Sequence, residues 1–166
     1  GNKISKNQNF FINDFGNKYI NKSLKYINSK IEYIRILKGT NFDYFFEQSI
    51  KELISKEFIV SKLSDRMGMR LQGPIIKNLK ETNIRSEGLT KGVIQVPADG
   101  NPIIMLSDHG TIGGYPKIGA VISADYDRLS QTPSRKKIKF KLIELKEAEK
   151  LYKLYQMETE NLLNQI

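Results

Sequence analysis

The sequence predicts a mainly β fold with flanking helices, and three observations carry that prediction. Short apolar runs rich in Ile, Val, Leu and Met alternate with Gly and Pro turns through the middle of the chain. Asp99-Gly100 separates two such runs, and an Asp-Gly pair tolerates the positive φ of a tight hairpin turn. The last segment, Glu144 to Ile166, holds neither Gly nor Pro and repeats apolar residues at helical spacing.

Each element follows from its own pattern. Residues 1–30 are polar and irregular, with aromatic residues (Phe10, Phe11, Phe15, Tyr19) but no sustained period. Ile31 to Leu37 reads as a strand ended by Lys38-Gly39. Asn41 has the side chain of a helix cap, and Phe42, Phe45, Phe46, Ile50, Leu53 and Ile54 draw an apolar stripe behind it. Phe58–Val60 and Met69–Gln72 are short strands. Val93–Val96 pairs with Ile103–Leu106 across the Asp99-Gly100 turn. Pro97 and Pro102 bracket that turn and donate no ladder hydrogen bond, so the hairpin end is expected to protrude. Ile118–Ile122 is a further strand, Asp125–Leu129 a helical turn, and Ile138–Ile143 the strand that closes the sheet. Ala148, Leu151, Tyr152, Tyr155, Leu162 and Ile166 then mark the packed face of a terminal helix.

Composition bounds the function. At 166 residues, 39% hydrophobic and 27% charged, the chain has the make-up of one globular domain. No apolar run approaches the roughly 20 residues that span a bilayer, and no apolar signal segment opens the chain, so no membrane partner is expected and the cytoplasm is the expected location. The absence of cysteine removes disulfides and thiolate metal sites. A single histidine excludes sites needing several imidazoles, and no metal is expected. The net charge of +9 invites a nucleic-acid partner, but the basic residues are scattered. The densest group, Arg135 to Lys141, alternates charge with apolar residues as a strand with one wet face does, so no nucleic acid is expected.

The richest polar run follows the second hairpin strand. Asp108, His109, Thr111, Gly113, Gly114, Tyr115 and Lys117 gather within ten positions. Two adjacent glycines let backbone amides approach an anion, or else form a tight turn of positive φ. Arg66 and Arg70 flank Gly68 and share a face if the segment is extended; each offers a bidentate grip on carboxylate or phosphate, or a structural bridge between loops. Ser86-Glu87-Gly88 is a polar turn whose carboxylate suits proton transfer or pairing with an arginine. No Walker A pattern and no nucleophile elbow occur, so ATP is not bound here through a P-loop.

Ser64-Asp-Arg-Met-Gly68 with Leu71 and Gly73-Pro74, Ser86-Glu-Gly88, Ile94-Gln-Val-Pro97, Asp99-Gly100, Asp108, Thr111, Gly113-Gly-Tyr-Pro-Lys-Ile118 and Ala124-Asp125 occur in one order. In that order they resemble the C-terminal half of the biotin-dependent carboxyltransferase family. That family includes a bacterial 5-oxoprolinase component (the one designated C), the carboxyltransferase part of urea amidolyase, a second component of allophanate hydrolase and the antagonist of a sporulation-kinase inhibitor. The resemblance implies a cyclophilin-like β-barrel over residues 33–143, a C-terminal helix over 144–166, and a linker or remnant of a preceding barrel over 1–32. It further implies a missing N-terminal barrel half, with the site shared between the two barrels, so that this half alone is inactive. Phe10, Phe11 and Phe15 are expected at that seam.

The resemblance transfers site roles residue by residue. Arg66, Asp108 and His109 become catalytic candidates, and Arg70, Gln95, Thr111, Gly113, Gly114 and Tyr115 substrate-binding ones. Gln72 replaces a glutamate, and His109-Gly110 an Arg-Gln or Ala-Gln pair, of many members. The implied activity is the opening of 5-oxoproline to glutamate by a multi-protein complex that uses ATP, with a kinase-inhibitor-like 5-oxoprolinase component as partner. Two alternatives stand beside it: carboxyl transfer from carboxybiotin, and a non-catalytic partner that antagonises a kinase inhibitor.

Overall fold

The computed structural model describes residues 32–164. Ten strands and three helices follow one another. The strands are β1 Ile34–Lys38, β2 Phe58–Val60, β3 Gly68–Gln72, β4 Glu87–Gly88, β5 Val93–Gln95, β6 Ile103–Met105, β7 Ile112–Gly113, β8 Lys117–Val121, β9 Lys137–Ile138 and β10 Phe140–Leu142. The helices are α1 Glu47–Ser55, α2 Ser123–Ser130 and α3 Leu145–Leu163.

Eight strands form one sheet in the order β10-β1-β8-β5-β6-β3-β2-β9, and β4 pairs with β7 in a separate ribbon. The two sheet edges are consecutive in the chain: β9 and β10 are joined by Lys139 alone, so the sheet curls into a nearly closed barrel. β10 runs parallel to β1, with Ile34 opposite Phe140, while β9 runs antiparallel to β2, with Phe58 opposite Ile138. The predicted strand Ile138–Ile143 is therefore two strands, because its halves serve opposite edges. The alternation predicted there holds: Ile138 and Phe140 are buried, Lys137 and Lys141 exposed.

The barrel interior is filled by Ile36, Leu53, Phe58, Leu71, Ile94, Ile104, Ile118 and Phe140, among others, all essentially without solvent contact. The rings of Phe58 and Phe140 meet at 5.7 Å between centroids, tilted by 55°, a favourable aromatic arrangement. Each such side chain stabilises the fold by about 1.5–3 kcal/mol through burial.

Two local predictions are corrected. Asn41 caps no helix. A single turn of tighter helix spans Phe42–Tyr44, the chain is extended at Phe45 and Phe46, and α1 begins only at Glu47. The break arises because the chain here pairs sideways: Phe45 bridges Asn78, and Leu79 N–H donates to the Tyr44 carbonyl at 2.7 Å. Phe45 and Leu53 are buried as the stripe predicts, but Phe46 and Ile54 are exposed. The Asp99-Gly100 turn forms with Gly100 at φ +74, yet it does not protrude. Residues 75–76 lie over it, with Ile76 N–H donating to the Gly100 carbonyl at 3.0 Å.

Outside the barrel, α2 is locked to β1 by one buried carboxylate. Asp125, fully buried, accepts from the Arg35 backbone amide and Nε at 2.8 Å each and pairs with the guanidinium terminus. That hydrogen bond is the main reason the Arg35 guanidinium titrates above its ordinary value. The first turns of α3 pack over α2 and the barrel end through Ala148, Leu151 and Tyr155 against Ile122, Ala124, Ile143 and Leu37. Tyr152, placed on the predicted stripe, is 41% exposed. The predictions for Phe10, Phe11, Phe15, Ile31 and Ile166 lie outside the described residues.

Candidate functional site

The polar loop after β6 divides into two clusters. The first is at the turn that precedes β3. Asp65 Oδ1 accepts from the Met67 and Gly68 amides at 2.9 and 3.0 Å, closing a tight Asx turn. That turn carries Arg66 out of the strand, so Arg66 does not share a strand face with Arg70. Arg66 instead pairs with Asp108, Nε to Oδ2 at 2.7 Å, and the Asp108 amide donates to the Arg66 carbonyl at 3.1 Å. Arg70 stands on the exposed face of β3 and forms no ion pair among the described residues.

His109 follows on the same loop. Its Nδ1 lies 2.6 Å from the Gly110 carbonyl oxygen. A carbonyl can only accept, so the hydrogen bond places the proton of the neutral ring on Nδ1 and leaves Nε2 as an acceptor. Ser107, on the other side of Asp108, has its hydroxyl 3.4 Å from that of Tyr126.

The second cluster is built on the β4–β7 ribbon where it meets the barrel wall. Of Ser86-Glu87-Gly88, predicted as a turn, the last two residues are strand: Glu87 is opposite Gly113 and Gly88 opposite Ile112. Gln95 on β5 is 4% exposed and donates from Nε2 to the Tyr115 carbonyl at 3.1 Å. Neither Gly113 nor Gly114 has a positive φ, so the glycine pair is not there for turn geometry. Close approach requires it. A Cβ on Gly113 would stand 2.8 Å from both Gln95 Nε2 and Leu89 Cδ1, and one on Gly114 would stand 3.1 Å from the Ile84 carbonyl oxygen. Thr111 is exposed and contributes its carbonyl to the Leu89 amide at 2.9 Å.

Beside Gln95 lies a pair absent from the predicted site set. Lys117 is 5% exposed and its ammonium sits 2.5 Å from Glu87 Oε2. Asn41 brackets the Lys117 backbone from both sides: its Oδ1 accepts from the Lys117 amide at 3.0 Å, and its own amide donates to the Lys117 carbonyl at 3.2 Å. Asn41 is thus a strand clamp instead of a helix cap. A buried lysine opposed by a half-exposed carboxylate is a costly arrangement that keeps charge next to the ribbon. Lys117 falls on an apolar strand pattern, and Glu87 is 30 residues away, so only the fold joins them.

Among the described residues no group of three His, Asp or Glu side chains is placed to hold a metal ion. No helix among them is long and apolar enough to cross a membrane.

A family model described as the carboxyltransferase domain, subdomain A and B, matches residues 3–142. The chain belongs to that family. Two curated relatives resemble it, both named as the 5-oxoprolinase component designated C. That of Escherichia coli is 40% identical over 115 residues, and that of Haemophilus influenzae is 38% identical over 118. The matches cover 69% and 71% of this chain but only 37% and 38% of those relatives, so the chain spans well under half their length. Among solved structures, the Kluyveromyces lactis urea amidolyase superposes with a TM-score of 0.73 at 23% identity, over 78% of this chain and 8% of that one. That likeness shows the fold: the same barrel occurs within a far longer protein.

Proposed function

We propose that the chain supplies one barrel of a 5-oxoprolinase component, acting within a complex that opens 5-oxoproline to glutamate at the expense of ATP. The observation that carries this reading is the 40% identity to a relative of that name across more than two thirds of the chain. Partner proteins would bind the nucleotide, since this chain has no P-loop pattern. The kinase-inhibitor-like component of the expected complex is the natural neighbour.

The geometry supports a division of labour. Arg66 has five N–H donors and commits Nε to Asp108, which leaves donors for the substrate carboxylate. Asp108 is tied to that guanidinium, so His109, with Nε2 as acceptor, is the better placed proton acceptor. Gln95 holds the Gly113–Tyr115 backbone against the barrel wall. The Gly113 amide is taken up in the ribbon pair with Glu87, and the Gly114 amide beside it would face the charge that develops on the opening lactam oxygen, as a preorganised donor does. Lys117 and Glu87 anchor the ribbon that bears them.

The test is a chimera. The matching 115 residues of the Escherichia coli relative are replaced by those of this chain, and the hybrid is co-expressed with the rest of that complex. Glutamate release from 5-oxoproline with ATP is the expected result. A folded, assembled hybrid without glutamate release overturns the reading. The family description favours one second reading, carboxyl transfer from carboxybiotin, which the same hybrid would reveal as transfer of labelled carboxylate to or from biotin. A stable complex with neither activity would point to the binding role.

A further inference from the structure

A cavity lies at the C-terminal end of β8, between α2 and α3, and none of its lining residues belongs to the site proposed above. Lys91, Val121, Ser123, Tyr126, Asp127, Tyr152 and Tyr155 line a cavity of about 240 Å³. That is too small for a nucleotide-sized ligand and ample for one compact head group. Three tyrosines line a single small cavity, and a carboxylate stands among them.

Two observations indicate the sign of the charge it accepts. The Lys91 ammonium already lies over the Tyr126 ring, 4.6 Å from its centroid, so this aromatic surface hosts a cation in the structure. Asp127 receives the Tyr155 hydroxyl on Oδ2 at 2.5 Å, a neutral partner, and forms no ion pair among the described residues. Its carboxylate therefore stands at the cavity edge without a direct ion-pair partner, and Lys91 supplies the cation of the lining. An anionic ligand would meet that carboxylate beside electron-rich ring faces. Once the Lys91 ammonium moves aside, an incoming ammonium would meet the rings and that carboxylate.

We propose that this cavity binds an alkylammonium head group, with Tyr126, Tyr152 and Tyr155 as its aromatic walls, Asp127 as its counter-charge and the side chain of Lys91 as a displaceable resident occupant. The chemistry is shared by free quaternary amines and by a lysine side chain of a partner segment, and two ligands of different shape separate them.

The chain contains no tryptophan, and three of its eight tyrosines line the cavity, so tyrosine fluorescence is sensitive to its occupation. Tetramethylammonium and n-butylammonium are titrated into the protein at constant ionic strength, with sodium chloride as control. Saturable binding is expected, tightening about tenfold in Lys91→Ala as the occupant is removed, the equivalent of about 1.4 kcal/mol. Preference for tetramethylammonium indicates a quaternary amine, and preference for n-butylammonium a lysine side chain. Tyr126 is buried, so its removal risks the fold; Tyr152→Leu keeps the bulk at an exposed position and should weaken binding about tenfold, as should Asp127→Asn. No saturable binding to the Lys91→Ala protein, or binding indifferent to both Tyr152→Leu and Asp127→Asn, overturns the proposal.

Discussion

Lys117 Nζ and Glu87 Oε2 meet at 2.5 Å, and through that contact the barrel wall holds the small β4–β7 ribbon. The lysine is buried and the glutamate side chain 45% exposed, so the two ends of the pair are not equivalent. Glu87→Gln strands an ammonium in the wall, whereas Lys117→Met releases a carboxylate that water already reaches. Glu87→Gln is expected to cost about 1–3 kcal/mol, less than a fully buried pair because solvent screens it. Adding Lys117→Met to Glu87→Gln should recover most of the loss. Urea unfolding of the two single variants and the double variant measures the asymmetry.

Gly113 and Gly88 are neighbours in one ribbon with opposite tolerance. Nothing stands within 4 Å of a Cβ at Gly88, while one at Gly113 meets Gln95 and Leu89 at 2.8 Å. Gly113→Ala should therefore push Gln95 off the Tyr115 carbonyl and cost about 1–3 kcal/mol. Gly88→Ala should stay within about 0.5 kcal/mol of the parent. Thermal unfolding compares them, and amide exchange at Tyr115 and Lys117, on either side of Pro116, would report the displaced Gln95.

Arg66 separates stability from function. Its side chain is 87% exposed and its pair with Asp108 is a surface one, so Arg66→Ala should shift unfolding by less than about 1 kcal/mol. If Arg66 grips substrate, glutamate release by the chimeric complex falls about a hundredfold. Equal activity of Arg66→Ala and parent would remove it from the site.

Tyr155 makes the docking of α3 sensitive to alkali. Its hydroxyl donates to Asp127, which raises its titration above the ordinary value near 10. A group whose folded value is raised contributes stability that is complete below its unfolded value and lost as pH climbs through the folded one. Stability should thus decline above about pH 10, and absorbance near 295 nm should show one tyrosine ionising late. Asp127→Asn should return that tyrosine toward the ordinary range and remove this part of the pH dependence.

Period and turn chemistry were legible where neighbours along the chain decide the structure. The Phe58–Val60 strand, the Asp99-Gly100 hairpin, the alternation around Ile138 and the terminal helix all follow from residues within a few positions of one another. The misread places are those where a distant segment intervenes. Asn41 has the side chain of a cap and is used as a clamp on Lys117. Ser86-Glu87-Gly88 has the residues of a turn and is drawn into a ribbon by Gly113. The Ile138–Ile143 run has the pattern of one strand and is divided between two edges.

By itself the sequence determined the family, the β-rich class and the loop from Asp108 to Tyr115 as the place where polar chemistry gathers, because those rest on local pattern and ordered motifs. Only the tertiary structure decided which of those residues act on one another. Lys117 and Glu87 are 30 positions apart and Arg35 and Asp125 are 90 apart. Burial makes the loss of either buried partner costly, and burial is a property of the closed barrel that no single stretch of the chain contains.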